Sequence, residues 1–136
     1  MTQAGKSALP DSHEQVVGSL GVTGASAANK LASSADVILS VGSRLQDFTT
    51  GSNALFSGEM ISINVQTHDA IKHDAVALTG DADETLAALD EALADFAIST
   101  DYADEIRSLQ NAWSEDVKAV TAAPETGREN KNALPS

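Results

Sequence analysis

Ala35-Asp36-Val37-Ile38-Leu39-Ser40-Val41-Gly42-Ser43-Arg44-Leu45 is the stretch on which the fold turns. Val37 to Val41 is a short run of aliphatic and β-branched residues, broken by one serine and closed by Gly42. A run with so little polar alternation fits a parallel strand covered on both faces better than a half-exposed one. The same grammar returns at Met60-Ile61-Ser62-Ile63-Asn64-Val65 and at Ala75-Val76-Ala77-Leu78-Thr79, which read as a second and a third strand.

Helical signals surround these strands. Upstream, Gly18, Gly21 and Gly24 lead into an Ala-rich helix over 25–32, with Thr23 as the expected cap and Ser33-Ser34-Ala35-Asp36 as its close. Residues 1–21 show no sustained period and read as irregular structure. Downstream of the third strand, Asp81 followed by Glu84 predicts a capping box. Leu86, Leu89, Leu93 and Phe96 then recur at spacings of three, four and three, a stripe suited to lying on a sheet. Tyr102, Ile106, Leu109, Trp113, Val117 and Val120 mark a last amphipathic helix over 102–121. Residues 123–132 read as linker or tail. The fold class expected is α/β, part of a doubly wound parallel Rossmann-like sheet of about three strands, with flanking helices and a C-terminal helix.

Composition narrows the function classes. The chain has 136 residues, 20 acids against 8 Lys plus Arg, and a net charge of −12. That balance excludes a phosphate-backbone reader and a polybasic membrane patch, so neither nucleic acid nor membrane is expected as a partner. Cysteine is absent, which removes disulfides, zinc–thiolate sites and cysteine nucleophiles. No apolar run approaches the roughly 20 residues that span a bilayer, and the first residues lack a signal-peptide core, so a cytoplasmic address is expected. Apolar residues make up 42% but aromatics only 4%, so the core is built from Ala, Val, Leu and Ile. The charge is uneven: residues 81–116 carry eleven acids against one base, Arg107, as expected for the solvated faces of helices.

Ligands of open parallel sheets sit beyond the carboxyl ends of the strands. That rule points to Gly42, Ser43 and Arg44, with Arg44 placed either to clamp a phosphate or carboxylate or to pair with a local acid such as Asp47 or with loop carbonyls. Gly24, at the start of the first helix, offers a second anion position or a plain turn. Gly18, Gly21 and Gly24 do not form the G-x-G-x-x-G dinucleotide fingerprint. His13, His68 and His73 read as exposed loop histidines, and no spacing assembles a metal set. No nucleophile or acid–base constellation emerges, so neither catalytic nor metal-ligating residues are assigned.

As an ordered set, Gly21-Val22-Thr23-Gly24, Ala27-Ala28-Asn29, the 35–45 stretch and Thr50-Gly51 resemble the central domain of thiamine-diphosphate-dependent enzymes, a family that includes acetolactate synthases. The resemblance covers about residues 3–95, with the 60–65 strand, Lys72-His73 and Gly80-Asp81 falling in matching places. Within the family, residues 2–10 and 44–52 are most similar to the branch that opens a cyclic 1,2-diketone with water in inositol breakdown. The resemblance implies a parent of three domains, with thiamine diphosphate and Mg²⁺ held between the first and third. The catalytic Glu and the Gly-Asp-Gly metal motif of those domains are absent from this sequence, so neither cofactor is expected in this chain alone. Some relatives bind FAD across the central domain next to an I-D-x-D pattern. Asn64 and Gln66 stand at its acidic positions, which argues against FAD.

The resemblance further implies that residues 1–97 are the C-terminal half of a six-stranded central domain. Residues 98–136 would then be a helix and linker towards a missing cofactor-binding domain. The expected partners are the flanking domains of the same enzyme, with self-association either by pairing along the open edge of strand 37–41 or by burial of the exposed sheet face. Two other readings stand beside it: the central domain of an acetolactate synthase-like carboligase or decarboxylase, and a free-standing nucleotide-binding regulatory module.

Overall fold

A computed structural model describes residues 1–122; residues 123–136, including the expected linker or tail, lie outside the described part. The elements run α1 (Ser26–Ser34), β1 (Val37–Val41), α2 (Asp47–Thr50), β2 (Glu59–Asn64), α3 (Thr67–Ala70), a 3-10 turn (Lys72–Asp74), β3 (Val76–Thr79), α4 (Ala82–Ala92) and α5 (Thr100–Thr121). The three strands form one parallel sheet in the order β1-β2-β3, with Val41 beside Ile63 and Asn64 beside Thr79. The α/β architecture read from the sequence is therefore present, with all three strands within a residue or two of their expected places.

Local chemistry sets the helix ends, and two of them differ from expectation. Thr23 does not cap α1: the cap position is Ala25, which makes no side-chain capping bond, and the Thr23 hydroxyl takes a hydrogen bond from Gln3 instead. The approach to α1 is held by backbone, with Ala25 N–H donating to Ser19 O at 2.7 Å and Gly24 N–H to Gly21 O at 2.9 Å. Asp81 caps α4 as expected, accepting from the amides of Asp83 and Glu84. The reciprocal bond of a capping box, from Asp81 N–H to the Glu84 side chain, is not formed among the described residues, and the Thr85 hydroxyl instead donates to Asp81 O at 2.6 Å. α5 begins at Thr100, earlier than its apolar pattern, because Ser99 accepts from the Tyr102 amide and adds a turn.

The core gathers Val17, Ala27, Ala28 and Ile106, with Leu31, Leu109 and Trp113 packed against it. α5 thus packs on α1, and small alanines let the two helices come close. Gln110 adds a polar tie, donating to His13 O at 3.0 Å and Val16 O at 3.2 Å, which seats the irregular N-terminal segment against α5.

Burial corrects the reading of the strands. β1 lies at a sheet edge, as its open edge leads one to expect, but its faces are not both covered: Val37 is 54% exposed, with Leu39 and Val41 exposed as well. In register these share a face with Ile61, Ile63, Val76 and Leu78, and only Ile63 on that face is fully buried. The stripe on α4 does not close over it: Leu86 and Leu93 are exposed, and Phe96 lies beyond the helix and is 67% exposed. The physical reason is area. α4 packs on β2 while Val37, Leu39, Val41, Val76 and Leu78 stay exposed, and a parallel sheet needs both faces covered.

Candidate functional site

The carboxyl ends of the strands are laced together by backbone. Gly42 N–H donates to Ile63 O at 2.9 Å, and Gly80 N–H to Asn64 O at 3.2 Å. Gly42 has a left-handed φ of 64° and opens the turn that leaves β1. Ser43 Oγ then accepts from Leu45 N–H at 3.1 Å, which folds the turn back on itself. Leu45 is buried and also left-handed, with φ 48°. For a side chain of that size such a backbone costs on the order of 1–2 kcal/mol, so the surroundings must over-determine it.

They do so from one direction. Ser43 O accepts from Asn64 Nδ2 at 3.0 Å, Arg44 O from Lys72 Nζ at 3.0 Å, and Leu45 O faces His73 Nε2 at 3.1 Å. Three successive carbonyls are thus each held by a side chain from the segment between the end of β2 and the 3-10 turn. A carbonyl only accepts, so His73 carries its proton on Nε2. Asn64 is buried, and its Oδ1 also accepts from Gln66 N–H at 2.9 Å, so its amide uses a donor and an acceptor at once.

The side chain of Arg44 is exposed, and the pair with Asp47 left open by the sequence is not formed among the described residues, where ion pairs join Lys72 to Asp69, Arg107 to Asp104 and Lys118 to Glu115. Gly42, Ser43 and Arg44 line a cavity of about 410 Å³ with Thr2, Gly5 and Thr49. Gly24 does not line it: its N–H is spent on Gly21 O, and a Cβ there would meet Ser19 O at 2.5 Å. Gly24 therefore works as a close-packed turn beside the site. Below Arg44, the hydrogen bond from Lys72 holds the Asp69 carboxyl below the usual carboxylate range, and the charges of Lys72, Arg44 and His68 add to it.

His13 and His68 are exposed and His73 binds the loop, so the three histidines do not converge. Among the described residues no group of three or more His, Asp or Glu side chains is arranged to hold a metal ion. A diphosphate–Mg²⁺ group needs oxygen ligands for its cation. Among the described residues, the strand ends place the exposed Arg44 guanidinium beside donors already committed to the loop, with no carboxylate cluster of the kind that would hold the Mg²⁺ of thiamine diphosphate.

Two braces were not legible from residue type. Asn64 stood out only as a departure from an acidic pattern, and nothing in its neighbours marks it as a tie to Ser43. Asn29 closes the Ala27-Ala28-Asn29 motif, and its task is structural: its Oδ1 accepts from Gly21 N–H at 3.0 Å and its Nδ2 donates to Gly21 O at 2.9 Å. Two bonds to one glycine pin the turn that α2 leans on, where Val22 N–H donates to Phe48 O.

Comparison with known proteins agrees with this architecture. A family described as "Thiamine pyrophosphate enzyme, central domain" matches residues 1–89. A 3D-(3,5/4)-trihydroxycyclohexane-1,2-dione hydrolase of Geobacillus thermodenitrificans is 44% identical over 120 residues, covering 88% of this chain and 18% of that protein. A protein of the same name from Clostridium perfringens is 41% identical over 123 residues, covering 88% of this chain and 19% of its own length. One from Bacillus anthracis is 40% identical over 122 residues with the same coverage, 88% and 19%. The chain spans less than a fifth of the length of these curated relatives. With its parallel sheet and strand-end loop, the chain belongs to the thiamine pyrophosphate enzyme family, as central domain.

Proposed function

We propose that this chain is a non-catalytic part of the central domain of a thiamine-diphosphate-dependent hydrolase that opens a cyclic 1,2-diketone with water in inositol breakdown. The observation that carries the reading is the 40–44% identity, over 88% of the chain, to proteins named for that substrate. In this reading residues 1–97 are the C-terminal half of the central domain, and 98–136 lead towards a further, cofactor-binding domain. Thiamine diphosphate and Mg²⁺ belong to the parent enzyme, in the cytoplasm, and this segment supplies scaffold. Its partners are the flanking parts of the same enzyme, and a second copy of the chain when those are missing.

Gly42, Ser43 and Arg44 are the ligand-facing loop of this half-domain, with Arg44 as the hook for a small oxyanion. What supports this is the exposure of Arg44 beyond a strand end, outside any ion pair among the described residues. Calorimetry on the 136-residue chain tests the scaffold reading. Titration with thiamine diphosphate and Mg²⁺ is expected to give only heats of dilution. A saturable heat at micromolar concentration would place a cofactor site in this chain and refute the reading.

A further inference from the structure

We infer that Asn64, Lys72 and His73 form a positioning clamp that fixes the backbone under Arg44, one side chain on each of the carbonyls of Ser43, Arg44 and Leu45. The inference rests on the proposal that Arg44 faces a small oxyanion, and it explains how a loop with no helix or strand of its own is held ready for one.

The clamp does two things. It compensates the left-handed backbone at Leu45, which would otherwise relax, since an unsupported loop has no reason to keep a buried leucine at φ 48°. It also turns three acceptors towards donors on one side of the loop. An anion approaching Arg44 then meets a guanidinium rather than carbonyl dipoles, and the loop pays little ordering entropy on binding.

Each member has a chemical reason for its identity. Asn64 must donate to Ser43 O and accept from Gln66 N–H, and an ionised carboxylate at that position supplies only the second bond. Lys72 is itself held by Asp69 at 2.6 Å, so its ammonium is committed to the loop and Arg44 remains the cation for a ligand. His73 reaches Leu45 O from a left-handed φ of 59° within the 3-10 turn, and Asp74 follows at φ 55°. Two left-handed residues in succession aim a ring at a third, Leu45.

Amide hydrogen exchange and inorganic phosphate titration, both followed by NMR on the intact chain, test the clamp. In Asn64→Asp at neutral pH the Gln66 amide is expected to keep its protection, while the Leu45 amide exchanges at least about tenfold faster and the phosphate response of the Ser43 amide is lost. His73→Leu, at an exposed position, is expected to speed Leu45 exchange in the same way. His73→Gln, which returns an N–H donor near the Nε2 position, is expected to restore both the protection and the phosphate response. Unchanged Leu45 exchange in both Asn64→Asp and His73→Leu overturns the clamp, whatever phosphate does. Wild-type protection with no phosphate response overturns the oxyanion reading of Arg44, and with it the purpose of the clamp. Arg44→Ala is expected to abolish the phosphate response and leave Leu45 protection intact, which separates the hook from its support.

Discussion

Leu45 and His73 meet while both hold left-handed backbone: His73 Nε2 lies 3.1 Å from Leu45 O, at φ values of 59° and 48°. Each conformation is unfavourable alone, and the bond between them is one of the interactions that makes the pair self-supporting. Asp74 shares the conformation without sharing the bond, which makes it a clean probe of backbone cost. Asp74→Gly is expected to leave stability within about 0.5 kcal/mol, because the relief of strain offsets the added chain entropy. Asp74→Val, β-branched at the same φ, is expected to lose about 1–2 kcal/mol. Urea unfolding of the two variants distinguishes them, and equal stabilities would mean that the turn is not held left-handed in solution.

The turn before α1 depends on a second pair. Asn29 closes two hydrogen bonds on Gly21. Asn29→Ala is expected to cost about 1–3 kcal/mol, since it leaves the Gly21 amide unpaired, while the Gly21 carbonyl keeps the bond from Gly24 N–H. Gly21→Ala is expected to cost at least as much: φ is 124°, and the new Cβ would stand 2.7 Å from Phe48 O. Thermal unfolding checks both, and a Gly21→Ala protein as stable as wild type would contradict the close approach of that turn to α2.

Asp69 gives the fold an acid-sensitive contact. Its carboxyl titrates below the usual carboxylate range because Lys72 donates to it, with Arg44 and His68 adding their charge. A folded-state value below the unfolded one means that the ionised form favours the fold. The contribution is complete above about pH 4–5, where the unfolded carboxyl is already ionised, and it fades as pH falls through the lower folded value. Wild type is therefore expected to exceed Asp69→Asn in stability at neutral pH, with the gap closing in acid. A gap independent of pH would assign the effect of Asp69 to something other than its charge.

The exposed apolar face makes a prediction about assembly. Val37, Leu39, Val41, Val76 and Leu78 lie exposed on one face of a sheet whose edge strands are β1 and β3. An apolar sheet face left open in this way favours contact with another chain. The isolated chain is expected to scatter light as a dimer or larger species, and Leu39→Lys to shift it towards monomer. A monodisperse monomer at high concentration would contradict the expectation.

The strands, their order of appearance and Asp81 were legible because each depends on local pattern: aliphatic runs, a glycine stop, an acid before a helix. The burial of β1 was not, because a strand of Val, Ile and Leu reads the same at the centre of a sheet and at its edge. Thr23 misled for a related reason. A threonine before a helix is a good cap by type, but Gln3, twenty residues away in sequence, had the stronger claim on its hydroxyl. The cavity-lining residues Gly42, Ser43 and Arg44 could be placed at a strand's carboxyl end by their position after an aliphatic run. Asn64, Lys72 and His73 act across the sheet on backbone carbonyls, and a carbonyl carries no sequence signal.

As proposed above, this chain is part of a thiamine-diphosphate-dependent hydrolase of a cyclic diketone. The most direct measurement is a substrate-consumption assay on the protein encoded by the whole reading frame that contains these residues. That protein is expected to hydrolyse 3D-(3,5/4)-trihydroxycyclohexane-1,2-dione when thiamine diphosphate and Mg²⁺ are supplied, and not without them. A protein that leaves this substrate untouched and instead condenses 2-oxo acids would contradict it.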